Sequence, residues 1–140
     1  MSEYASVILL TPDDDVVLQL RDDKPDIVDP NCLSLFAGKL KPGERPEAGA
    51  RRCIRKETEL ELGKLEFFWT YETTVERIGR VSKSHAFIAR GIDVEAIRVH
   101  QGQGFALIHN AEDLEKFECA LISRDILQRY FDQKGQAPPA

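Results

Sequence analysis

The side chains best placed to do chemistry lie between Gly38 and Leu60. Gly38-Lys39-Leu40-Lys41-Pro42-Gly43-Glu44 combines glycine, proline and lysine without apolar periodicity, so it reads as a loop. Pro46, a residue suited to the first turn of a helix, predicts a helix start just beyond it. Lys39 and Lys41 could set their ammonium groups against a phosphate, although basic loop residues are common. Positions 53, 56 and 57 are three and four apart along the helix, so Cys53, Lys56 and Glu57 share a face. Lys56 could meet a phosphate or be a solvated helix lysine, and Glu57 could pair with Arg52 or Lys56. Cys53 has no histidine near it in sequence, which favours a packed small thiol over a nucleophile.

The elements that must position these groups follow from pattern. Tyr4–Leu10 and Val16–Arg21 are β-rich runs around the polar turn Thr11-Pro12-Asp13-Asp14-Asp15, which predicts a hairpin. Asp22–Asn31 reads as a surface loop and Leu33–Phe36 as another strand. From Glu47 to Thr58, Ala50 and Ile54 sit four apart, which predicts one narrow buried helix face. Leu65–Val75 holds Phe67, Trp69 and Tyr71 in alternation, and Ser84–Ala89 follows the Gly79 break, so the two are expected to pair. One side of the aromatic strand could offer Trp69 as a platform for a nucleobase. Phe105–Ile108 should be a strand, Asn110 an N-cap for a helix over Ala111–Lys116, and Ser123 the cap of a last helix. Ile126, Leu127, Tyr130 and Phe131 form the stripe that docks that helix. His85, His100 and His109 lack metal-ligand spacing and are expected to be structural or exposed.

The string from Gly38 to Leu60 resembles the Nudix (MutT-like) box: Gly, five residues, Glu, seven residues, then Arg-Glu-aliphatic-x-Glu-Glu-x-Gly-aliphatic. Gly38, Glu44, Arg52, Ile54, Glu57 and Leu60 stand on its places. Pro30–Gly38 is similar to the strand and glycine turn that lead into that box, with Ala37 for a frequent glycine. The resemblance covers about Tyr4 to Phe131 and implies an α/β/α sandwich with a mixed sheet, a single domain taken over 1–134, while the two prolines of 135–140 predict a flexible tail. It also implies a hydrolase of a nucleoside diphosphate linked to another moiety. In such an enzyme water cleaves the pyrophosphate bond with Mg or Mn, Glu57 is a metal ligand, and Arg52 and Glu44 orient the loop. Gly38, Lys39, Lys56 and Trp69 would bind substrate.

The box departs from the pattern where the family would present three glutamates, because Cys53 and Lys56 replace two of them. A lone Glu holds magnesium poorly, and a nearby ammonium repels the ion by roughly 1 to 4 kcal/mol depending on effective dielectric. Downstream, Gln101-Gly102-Gln103-Gly104 stands where related sequences tend to supply another acid. Other acids, Glu47, Glu61, Glu72 or Glu76, could rebuild the cluster. Glu59 occupies the place of the box glycine, where a left-handed residue is easiest. The alternative function is therefore a disabled Nudix-fold module that binds a nucleotide or related phosphate metabolite without a cofactor, with Lys56 taking part of the cation's role.

Bulk properties bound the partners. A length of 140 residues is that of one domain, and 42% hydrophobic with 31% charged residues is the composition of a soluble globular protein. Apolar runs such as Val7–Leu10 are too short to span a bilayer, and the acid-bearing start lacks the pattern of a secretory signal, so a cytoplasmic location is expected. A net charge of −5 argues against binding a nucleic-acid polymer but leaves a free nucleotide open. Three widely spaced cysteines predict reduced thiols and no zinc site. The aromatic strands could instead form a homodimer interface.

Overall fold

The computed structural model describes residues 2–21, 32–75, 80–100 and 103–136. In chain order its elements are β1 (Ser2–Leu10), β2 (Val16–Leu20), β3 (Leu33–Ser34), β4 (Phe36–Lys39), α1 (Pro46–Thr58), β5 (Glu66–Val75), β6 (Arg80–Ala89), β7 (Gly104–Ile108), α2 (Ala111–Lys116) and α3 (Leu121–Gln136), with a short 3-10 turn at Val94–Ala96 between β6 and β7. The strands make one mixed sheet ordered β3-β2-β1-β6-β5, with β4 also pairing β1 and β7 pairing β2. Among the described pairs of named strands β1–β6 is the parallel one, and Leu33 of β3 also makes an isolated parallel bridge to Cys119. The expected sandwich is what forms.

Ala5 to Leu10 of β1 are all buried, because successive side chains point to opposite faces and each face is covered. On one face, Ala5, Val7, Leu9, Val17, Phe87 and Ala89 pack with Ala50 and Ile54 of α1. On the other, Ile8, Leu10, Val16, Leu18, Ala86 and Ile88 pack with Ile126, Leu127, Tyr130 and Phe131 of α3. The stripe read from the last helix is therefore its docking face. The face of α1 is wider than expected, since Gly49, Cys53, Glu57 and Thr58 are buried beside Ala50 and Ile54.

Three local expectations are corrected. Leu33–Phe36 is two strands, because β3 pairs β2 while β4 pairs β1, and the chain changes partner at Leu35. Ser123 does not cap the last helix but lies inside α3, where its Oγ accepts the Leu35 N–H at 3.0 Å and serves that change of partner. The aromatic alternation is broken by a bulge: Phe67 pairs with Phe87, yet Trp69 pairs with Ala86, so Phe68 is skipped. As a result Phe67 is 62% exposed while Phe68 and Trp69 both pack against the core under α3.

The hairpin between β1 and β2 forms with Leu10 opposite Val16. Asn110 caps α2, its side chain accepting the Asp113 N–H. α3 continues through Gly135 to Gln136, past the start of the expected tail. The loop expected at 22–31, the break at Gly79 and residues 137–140 lie outside the described residues. No helix of the described residues is long and apolar enough to cross a membrane.

Candidate functional site

Loop 40–45 is folded back on α1 by one side chain. Arg52 Nε and Nη2 donate to Glu44 Oε2 and Oε1, each at 2.8 Å, and Nη2 also donates to the Lys39 carbonyl at 3.0 Å. Glu44 Oε1 accepts the Lys41 N–H at 3.0 Å as well. The Arg52 hydrogen bonds, then the Lys41 N–H, hold the Glu44 carboxyl down at about 2, and the same pairing raises Arg52. A bidentate guanidinium fixes direction as well as distance, so the loop has one position on the helix. Gly43 makes its turn at φ 76°, a left-handed backbone that glycine adopts freely.

Two glycines let the parts close. A Cβ at Gly38 would overlap Cys53 Sγ, and one at Gly49 would lie 3.0 Å from Glu44 Oε1 and collide with Leu40. Gly49 escaped the sequence reading, although a glycine inside a helix is itself a signal of close approach. Cys53 is buried against Gly38, and burial pushes its thiol up, as expected of a packed rather than reactive cysteine.

One turn further along, Lys56 is exposed and Glu57 is 7% exposed. Burial raises the Glu57 carboxyl to about 7, with Lys56 and Arg21 pulling it partly back, and its Oε2 has no hydrogen-bond partner. Arg21, at the end of β2, was not singled out in sequence because only the fold brings it near α1. The backbone here is stitched to the segment before β7: His100 N–H donates to the Glu57 carbonyl and Arg98 N–H to that of Thr58, each at 2.9 Å. Glu59 ends the helix in the left-handed region, φ 63°, as the missing box glycine implied.

Among the described residues, the other candidate acids Glu47, Glu61 and Glu72 do not converge on Glu57. Glu47 pairs with Arg51 at 3.2 Å and Glu61 with Arg55 at 2.8 Å, while Glu72 is exposed on β5. Glu76, Gln101 and Gly102 lie outside the described residues, and Gln103 donates to the Arg21 carbonyl at 2.8 Å. Among the described residues no three His, Cys, Asp or Glu side chains stand where they could hold a metal ion. Cys53 brings a buried thiol, Lys56 an exposed ammonium and Glu57 the one carboxylate, whereas Mg or Mn takes a shell of oxygen donors. Among the described residues, this face of α1 by itself supplies fewer oxygen donors than the ion implied by the box pattern takes.

Gly38, Lys39, Glu44 and Arg52 are thus one assembly, with Lys56 and Glu57 on the same helix. Trp69 is elsewhere, on the α3 face, with Arg129 Cζ 4.3 Å from its ring centre and the Tyr71 ring at 4.6 Å. The histidines are engaged locally: His85 with Thr70 and Glu3, His100 with Glu59, and His109 with Asp15.

Comparison with known proteins agrees with this architecture. The NUDIX domain family model matches residues 2–130. No curated protein matches. The E. coli ORF135 protein is similar in structure, with 19% identity, a TM-score of 0.76, and coverage of 100% of this chain and 95% of its own. MutT, from a study of the Aliivibrio salmonicida and Vibrio cholerae proteins, has 13% identity and a TM-score of 0.75, covering 94% and 98%. The NUDIX domain of Shewanella oneidensis NrtR, solved with ADP ribose, has 15% identity and a TM-score of 0.73, covering 94% and 86%. The fold and the braced loop before α1 define a Nudix-type α/β protein. This chain belongs to the Nudix hydrolase family.

Proposed function

We propose that the protein binds the diphosphate of a nucleotide or related metabolite over the end of β4, loop 40–45 and α1, and that its hydrolysis of the pyrophosphate bond is weak. The observation that carries this is a division within the box. The Glu44–Arg52 brace that sets the loop is complete, while α1 offers Cys53 and Lys56 where carboxylates would gather a cation. Lys39, Lys41 and Lys56 are exposed around the loop and bring positive charge to a phosphate directly. The solved NrtR domain with ADP ribose supports a small nucleotide as ligand class. The net charge of −5 favours a free metabolite over a nucleic-acid polymer.

A rival reading is a Mg- or Mn-dependent hydrolase with Glu57 as the remaining metal ligand, and one observation favours it: Glu57 Oε2 is buried without a partner. Thermal unfolding with pyrophosphate or ADP, in EDTA and in magnesium, separates the two. The proposal expects stabilisation in EDTA that Lys56→Glu removes. Stabilisation that appears only with the metal, and survives Lys56→Glu, contradicts it.

A further inference from the structure

The sheet has β5 at one edge and β7 at another, and the two differ in how they meet solvent. β5 is guarded, since it carries Glu66 and Glu72 and a bulge between Phe67 and Trp69 interrupts its ladder. β7 has no such guard. Gly104-Phe105-Ala106-Leu107-Ile108 includes no charge and no proline, and it pairs with β2 in unbroken register from Ile108 opposite Val16 to Gly104 opposite Leu20. Natural sheets ordinarily blunt an apolar edge with lysine, proline or a bulge, because such an edge accepts a further strand. Among the described residues β2 is the one neighbour of β7.

Two hydrogen bonds fix which groups of β7 face outward. Thr11 N–H donates to the Asp15 carbonyl and Arg21 N–H to the Cys32 carbonyl, each at 2.9 Å. Odd-numbered residues of β2 therefore turn their backbone groups toward β1 and β3, and even-numbered ones toward β7. The even-numbered Val16, Leu18 and Leu20 stand opposite Ile108, Ala106 and Gly104. By alternation, the N–H and C=O groups of Phe105 and Leu107 point away from the sheet, where no described residue meets them. Their side chains lie opposite Gln19 and Val17 on the α1 face and are 39% and 37% exposed.

This edge is complementary to itself. With a second β7 laid antiparallel about a two-fold axis through Ala106, Phe105 of each copy falls opposite Leu107 of the other. That register makes both positions hydrogen-bonded pairs, so every outward N–H and C=O of Phe105 and Leu107 finds a partner. It also sets an aromatic ring against an aliphatic side chain at each position and brings no two charges together. A one-residue slip would oppose outward groups to inward ones and lose these bonds.

We infer that the free edge of β7 is the interface for a second copy of this chain, joined antiparallel into a two-fold dimer with one continuous sheet. The contact spans one short strand, so the dimer is weaker than one held by a standard interface of roughly 1,600 Å² and forms as protein concentration rises.

Sedimentation velocity from micromolar to millimolar protein tests this on the natural protein, Leu107→Lys, Leu107→Pro and Phe67→Lys. The natural protein is expected to pass from monomer to dimer. Leu107→Lys puts an ammonium into the apolar pair and should raise the dissociation constant at least about tenfold. Leu107→Pro removes an N–H that faces away from β2, so it should weaken the dimer similarly while the circular dichroism of the folded protein is kept. If one Leu107 variant fails to fold, the other still decides. Phe67→Lys, on the guarded edge, should leave association unchanged. A natural protein that stays monomeric throughout overturns the inference, as does a dimer that folded Leu107 variants leave intact or that Phe67→Lys breaks.

Discussion

Arg52 reaches across eight residues to clamp Glu44 through two hydrogen bonds of 2.8 Å, and this pair fixes the loop on α1. Its pH dependence follows from the carboxyl being held down from 4.5 to about 2, chiefly by the Arg52 hydrogen bonds. The folded state favours the charged form, so the contribution is complete above pH 4.5 and is lost as pH falls toward 2. Glu44→Gln should therefore melt below the natural protein at neutral pH, with the gap closing under acid. Thermal unfolding from pH 7 to pH 2 checks this, and a gap that persists at the acid end contradicts it. Arg52→Lys should not restore the brace, because a point charge cannot make the bidentate contact.

Glu57 behaves in the opposite sense. Burial raises its carboxyl from 4.5 to about 7, so the folded state resists its ionisation. Its contribution is fully present below pH 4.5 and is lost as pH rises through 7. A shift of this size corresponds to on the order of 3 kcal/mol. Glu57→Gln should match the natural protein at pH 4 and be more stable at pH 8. Equal stability of the two at pH 8 would show that Glu57 is ionised and paired in the folded protein.

Glu59 holds φ 63° at the end of α1, with its N–H on the Arg55 carbonyl. A residue with a Cβ is strained there, and its contact with His100 is an exposed pair of little value. Glu59→Gly should stabilise by about 0.5–1 kcal/mol, and Glu59→Ala should not. Denaturant unfolding of the three proteins decides, the idea failing if the alanine and glycine variants behave alike.

Gly38 and Cys53 are a coupled pair, since a Cβ on the first overlaps Sγ of the second. Gly38→Ala should cost about 1–3 kcal/mol through overpacking, and Cys53→Ala in the same chain should recover most of it. Additive costs in the double variant would mean that the contact is not the source of the penalty.

The sequence carried the brace and the frame because both are local or strictly spaced. Glu44 and Arg52 could be paired from the box pattern, and Ala50 with Ile54 from helical period. The stripe Ile126, Leu127, Tyr130 and Phe131 was legible for the same reason. Ser123 was misread as a cap because its Oγ is claimed by Leu35, far away in the chain. Phe67 and Trp69 do not share a face as their spacing implied, because a single skipped residue in register moves everything beyond it to the other face. Arg21 near Glu57 is likewise a product of the fold.

The proposed division between an intact brace and an ion site reduced to Glu57 is tested most directly by pyrophosphate-bond hydrolysis over a nucleoside diphosphate panel with magnesium and manganese, comparing the natural protein with Cys53→Glu/Lys56→Glu, both shown folded. The account predicts feeble turnover in the natural protein and metal-dependent turnover in the double variant. Efficient turnover by the natural protein, abolished by Glu57→Gln, would contradict it and require a metal site assembled from other groups.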